Sequence, residues 1–136
     1  MVQLIFQAAT TKARKLSQMY SPLVLDHFQH PRNAGELSEA NAVTRVENPV
    51  CGDMLELSVR LQDGVIAEIR FRAKGCVPTI ACASRLTEMV QAKAVADALL
   101  LKREALAESL GGLPPASQHA AQLAVTALRE VLQKQG

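Results

Sequence analysis

No apolar run in the chain approaches the length of a membrane-spanning helix, and none has the layout of a secretory signal. Cysteine is scarce and odd in number, at three, which argues against a disulfide framework and for a reducing, cytoplasmic setting. No pair of C-x-x-C units is present, so the usual zinc-finger spacing is excluded. Neither sign of charge is in excess: 15 Lys and Arg against 13 Asp and Glu leave a formal +2. That mild, evenly spread balance gives no reason to expect a nucleic-acid partner or a membrane surface. Internal repeats and low-complexity tracts are also missing. One local imbalance stands out. Residues 1–25 contain no Asp or Glu but carry Lys12, Arg14 and Lys15, a faint likeness to an organelle transit peptide. Met1 to Gln18 is read instead as an N-terminal extension, a loosely held helix, with the folded domain covering residues 19–136.

What is present suits one compact domain. Across 136 residues, 49% are apolar and 21% charged, an ordinary globular composition that buries roughly two-thirds of its unfolded surface. The stretch YSPLVLDHFQHPRNAG predicts a helix from about Ser21 to His30, with Pro22 in the first turn and Pro31 and Gly35 closing it. Leu55, Leu57, Val59 and Leu61 alternate with Glu56, Ser58, Arg60 and Gln62, the period of a strand with one buried face. Asp63-Gly64 then marks a tight turn. Val65, Ala67, Ile69, Phe71 and Ala73 alternate beyond it, completing a β-hairpin. Ala42 to Glu47 supplies a third antiparallel strand ahead of Pro49. Past Gly75-Cys76 the spacing turns helical, with Ile80, Ala83, Leu86, Val90 and Ala94 at intervals of three and four and a start near Pro78. Ala92 to Leu110 predicts one or two short helices, ended by Gly111-Gly112. A last helix begins near Ser117, its expected cap, and buries Ala120, Leu123, Ala127, Leu128, Val131 and Leu132. The class is therefore α+β: a three-stranded antiparallel sheet with helices packed on one face, an N-terminal helix and C-terminal helices.

Four side chains invite chemistry. In an extended chain, residues two apart point to one side about 7 Å apart, so Cys51 and Asp53 could converge on one ion, with Gly52 permitting the bend between them. Cys76 precedes a predicted helix, where free N–H groups and the positive dipole end suit a thiolate. His119 lies in the first turn of the last helix, where the same dipole suits a neutral ring. Each taken singly has an ordinary explanation: a buried apolar cysteine, a turn aspartate, a surface histidine. Cys82, six residues past Cys76, is rotated by about 240° and raised by roughly 9 Å along the helix; it reads as a core residue unless residues 76 to 81 form an irregular loop. His27 and His30 share a helix face but read as hydrogen-bonded or solvent-facing groups.

Four pieces of the chain, YSPLVLDHFQHPRNAG, NPVCGDMLELSV, FRAKGCVPTIACAS followed by LTEMV, and LPPASQHAAQLAVTAL, resemble the NifU N-terminal (IscU-type) family of iron–sulfur cluster assembly scaffolds. The resemblance runs from Tyr20 to about Lys134. It implies an α+β fold carrying a transient [2Fe–2S] cluster at one exposed end. Sulfur would come from a cysteine desulfurase and the cluster would pass to recipient apo-proteins. The family's ligand positions fall on Cys51, Asp53, Cys76 and His119. Two departures accompany it. The residue after the histidine, a cysteine in the family, is Ala120 here, and LPPAS lacks the usual lysine of the family's chaperone-recognition stretch, which puts a chaperone partner in doubt. Mixed cysteine and histidine ligation of iron and sulfide has precedent, and a set of N, O and S donors also suits Zn²⁺.

Three functions follow. The first is a carrier of a [2Fe–2S] cluster, iron or zinc, without enzymatic activity. The second is a thiol-based sulfur acceptor with Cys76 as nucleophile and His119 as base. The third is a degenerate family member that only binds partners.

Overall fold

The computed structural model describes residues 15–50 and 52–133. Residues 15–19 are helical, and the rest of the expected N-terminal extension lies outside the described residues, as does Cys51. Helix α1 spans Pro22–Gln29. Strands β1 (Ala42–Asn48), β2 (Asp53–Gln62) and β3 (Val65–Lys74) follow. Helix α2 covers Val77–Val90, the short α3 and α4 cover Val95–Ala98 and Arg103–Ser109, and α5 covers Gln118–Gln133.

The sheet is antiparallel in the order β1-β2-β3. Asp63 and Gly64 take φ of 54° and 74°, the pair of positive values that a two-residue turn needs if its twist is to match its strands. The register opposite Leu57 brings Thr44 on β1 and Phe71 on β3. Leu55, Leu57, Val59, Ile69 and Phe71 are buried on the inner face, while Arg72 and Arg60 reach Glu56 and Glu68 at 2.9 and 3.2 Å on the outer one. Such exposed pairs contribute only tenths of a kcal/mol; the inner face carries the stability. The strict alternation expected of β3 breaks at its start. A register shift at Arg60/Leu61 puts Ile66, rather than Val65 or Ala67, in the core, because a bulge inserts one residue and flips the facing of those beyond it.

Helices α2 and α5 cover the inner face, and α1 packs on α2. Ser21 caps α1, accepting from the Val24 N–H at 3.1 Å. Ser117 does not cap α5 as expected. It closes a 3-10 turn, Pro115–Ser117, that runs directly into α5, with the Ser117 N–H on the Pro114 carbonyl at 2.9 Å. The stretch from Ala92 resolves into two helices because the chain first docks on the sheet. Ala92 takes φ of 68°, and hydrogen bonds of 2.7–2.8 Å join Ala92, Lys93 and Val95 to Ile66 and Gly64. Residues 33 to 35 pair with Phe71 farther along the same edge, the Gly35 N–H on the Phe71 carbonyl at 2.8 Å.

His27 anchors α1 on α2. It is 4% exposed, with Nδ1 at 2.7 Å from the Ser84 hydroxyl and Nε2 at 3.2 Å from Glu88. Burial, reinforced by the Arg32 and Arg85 guanidinium groups and opposed by the carboxylates of Glu88 and Asp26, holds its pKa below the usual 6.5. Below pH 6.5 the unfolded chain therefore takes up a proton that the folded chain resists, and stability falls as the pH falls, by up to about 1.4 kcal/mol per pH unit for one proton. Urea midpoints compared between pH 7 and 5 should show this decline in the parent protein and a shallower one in His27→Gln. Equal slopes in both would remove His27 as the source. Asp26, lowered chiefly by its hydrogen bond from Arg32, loses its own contribution in a separate, more acidic range.

Candidate metal centre

The end of the sheet where β2 begins and β3 finishes gathers the side chains of interest. Asp53 is the first residue of β2, opposite Asn48. The chain before it turns rather than extends: Gly52 takes φ of 74° and its N–H closes on the Asn48 carbonyl at 2.8 Å. The bend expected at Gly52 is therefore part of the turn between β1 and β2. Cys51 itself is outside the described residues.

Gly75 carries the chain from β3 into α2. Its φ of 154° is one that side-chain-bearing residues rarely adopt, and a Cβ there would lie 2.5 Å from Asp53 Oδ1 and 2.7 Å from its Cγ. The missing side chain is what lets β3 pass directly over the carboxylate. Cys76 then occupies the N-cap of α2 in an extended conformation, without a side-chain cap hydrogen bond. Its thiol is turned to Asp53 instead, in a residue that is itself exposed. His119 is the second residue of α5. Its Nδ1 meets the Ala116 carbonyl at 3.0 Å; a carbonyl only accepts, so Nδ1 carries a proton, which leaves Nε2 as the ring nitrogen available to an ion.

Asp53 Oδ2 is the hub. It accepts from the Thr79 hydroxyl at 2.7 Å and from the Cys76 thiol at 3.5 Å, and His119 Nε2 stands 3.7 Å away. Asp53 is only 4% exposed, and a buried carboxylate needs such partners to offset its lost hydration. One donor atom each from Asp53, Cys76 and His119 fall within 4.8 Å of one another, the one such trio among the described residues. A tetrahedral ion with ligand bonds of about 2.0–2.3 Å needs its donors roughly 3.3–3.8 Å apart, a range that holds the 3.5 and 3.7 Å separations from Asp53 Oδ2. The donor set of thiol, carboxylate and imidazole suits zinc or iron. A groove of about 520 Å³ opens beside His119, between Asn48, Pro49 and Gln122, giving access from the surface.

The remaining candidates fall elsewhere. Cys82 lies in the core, its thiol pushed up to about 12 by burial and then by Cys76, so it is no thiolate donor at neutral pH. Ala120 is 1% exposed; one step of helix rotation separates it from His119 and turns it into the core. His27 is committed to Ser84 and Glu88, and His30 forms the C-cap of α1. Sequence reasoning missed two residues. Gly75 was read as a boundary and Thr79 not at all, although Thr79 stands three residues past the N-cap, the spacing at which a side chain returns to the start of a helix.

Comparison with known proteins converges on one family. The family model described as NifU-like N terminal domain matches residues 19–135. The iron–sulfur cluster assembly scaffold protein IscU 1 of Archaeoglobus fulgidus is 45% identical over 114 residues, 84% of this chain and 74% of that protein. The scaffold protein IscU of Aquifex aeolicus is 41% identical over 127 residues, 89% of this chain and 81% of its own length. In fold alone, the crystal structure of the N-terminal part of a NifU-like protein from Brucella abortus superposes with a TM-score of 0.71 at 19% identity, covering 88% of this chain and 95% of that one.

Proposed function

The chain belongs to the NifU-like N-terminal domain family, and on that premise we propose that it is a scaffold that holds a transient [2Fe–2S] cluster, iron or zinc and hands it on. The observation that carries this reading is the trio of Asp53, Cys76 and His119 within 4.8 Å, with an exposed cysteine among them. Cys51 is the fourth donor, two residues before Asp53 in sequence. Together the four supply the protein ligands that two iron atoms bridged by two sulfides require. Relatives named as scaffolds support the cargo over a catalytic role. In this reading a cysteine desulfurase supplies the sulfur, and recipient apo-proteins take the cluster through the open side at Cys76 and the groove beside His119. The absence of the family's lysine from LPPAS weighs against a chaperone partner. Cytoplasmic work fits the odd cysteine count, and no described helix is long and apolar enough to cross a membrane.

A thiol nucleophile at Cys76 with His119 as its base receives less support, since Cys76 Sγ is engaged by Asp53 and Thr79 and His119 Nε2 faces Asp53. Purification without oxygen, elemental analysis, and addition of iron and sulfide test the proposal. Stoichiometric zinc, or the visible absorbance of a [2Fe–2S] cluster, is the expected result; neither metal nor reconstituted cluster would end it.

A further inference from the structure

We propose that Thr79 is the positioning residue of the centre, its hydroxyl tying two candidate ligands from different elements into one preset arrangement. Thr79 is 1% exposed. Its Oγ1 lies 2.7 Å from Asp53 Oδ2 and 3.3 Å from Cys76 Sγ, so one atom on α2 bridges the start of β2 and the N-cap of its own helix. The other buried threonine of α2, Thr87, gives its hydroxyl to the Ser84 carbonyl at 2.7 Å in the turn before it, the common fate of a helical threonine. Thr79 sits in the first turn of α2, where that turn is missing, and its hydroxyl is directed at the carboxylate.

A hydroxyl has one proton. With that proton on Asp53, the Oγ1 lone pairs face Cys76 Sγ, whose single S–H proton is shared between Asp53 Oδ2 and Thr79 Oγ1. When Cys76 gives up its proton to become a ligand, the hydroxyl still restrains the carboxylate and loses only its own donor. Asp53 is thus held with the same oxygen toward Cys76 and His119 before and after an ion arrives. The β-branch of Thr79 leaves χ1 few choices in a helix, which makes the donor a stiff one. Hydrogen-bond partners of metal ligands act in this way in general, and removing one weakens metal affinity by about 10–100-fold.

The inference rests on the metal-holding reading above, and the test separates the two. Zinc is titrated into metal-free protein against a chromophoric chelator, for the parent, Thr79→Val and Thr79→Ser, and the ligand-field spectrum of the cobalt-loaded form is recorded for each. Valine keeps the shape and removes the hydroxyl; serine keeps the hydroxyl and removes the methyl. The expected result is a zinc Kd raised about 10–100-fold in Thr79→Val with an altered cobalt spectrum, and Thr79→Ser within about threefold of the parent. Thr79→Ala, also without a hydroxyl, replaces the valine variant if circular dichroism shows that it does not fold. Equal affinities in parent and hydroxyl-free protein overturn the role of Thr79 and leave the metal site standing. Equal weakening in the serine and valine variants also overturns it, by assigning the effect to packing. A parent protein that takes up no zinc overturns the preset arrangement assigned to Thr79 and leaves the cluster-holding reading to the iron and sulfide reconstitution.

Discussion

Zinc binding should weaken by about two orders of magnitude in Cys76→Ala while Cys82→Ala binds as the parent does. A structural zinc site carries about 10–16 kcal/mol over four ligands, so one donor accounts for roughly 3 kcal/mol, or a factor of about 100 in Kd. Loss of the thiol should be felt in full, because Cys76 stands at a helix N-cap beside Asp53, where no other described sulfur can replace it. Cys82 supplies the internal control. It lies in the core on the same helix, and its truncation to alanine costs on the order of 1 kcal/mol of stability with no effect on the ion. The chelator titration, with urea unfolding of the metal-free forms, reads both quantities. Undiminished affinity in Cys76→Ala would place the ion elsewhere.

Gly75→Ala is the second large effect, and it acts on the fold and the site together. The new methyl would be built 2.5 Å from Asp53 Oδ1 and 2.7 Å from Cγ, well inside any real contact, so the carboxylate or the β3–α2 junction must shift. The backbone strain is about 1–3 kcal/mol and the overpacking adds about 1–3 kcal/mol, which gives an expected loss of roughly 2–6 kcal/mol. Aspartate is short and buried, and moving it breaks the 2.7 Å hydrogen bond from Thr79. Zinc affinity should therefore fall in whatever fraction remains folded. Urea denaturation of metal-free protein checks the first part, and an unfolding midpoint equal to the parent's would contradict the close approach of Gly75 to Asp53.

The hairpin was legible because its signals are local. Alternation over Leu55 to Leu61 and the Asp63-Gly64 pair need only nearest neighbours to be read, and each strand lies where that pattern puts it. Ile66 escaped because a bulge is a property of pairing, not of one strand's composition. The two short helices after Ala92 are where composition places them; what composition does not encode is the docking of Ala92 to Val95 on Ile66 and Gly64, which is again a property of pairing. At the site, Asp53, Cys76 and His119 could be singled out from residue type and helix position, and the family resemblance joined them into a set. The contacts of Thr79 and Gly75 with Asp53 depend on where the end of β3 passes over the start of β2, a meeting between residues more than 20 positions apart that no periodicity encodes. The bend at Gly52 follows from its residue type, but the closure of its N–H on Asn48 does not, because that contact belongs to the junction of β1 with β2.

The chain segments that lie along β3 also bear on self-association. Asn33 and Gly35 engage Phe71, and Ala92 to Val95 engage Ile66 and Gly64, so that margin of the sheet is interrupted at its beginning and near its middle by the molecule's own backbone. A second copy finds no uninterrupted ladder there on which to template, and growth into a stacked ribbon from that side is blocked by the same short stretches that shape the fold.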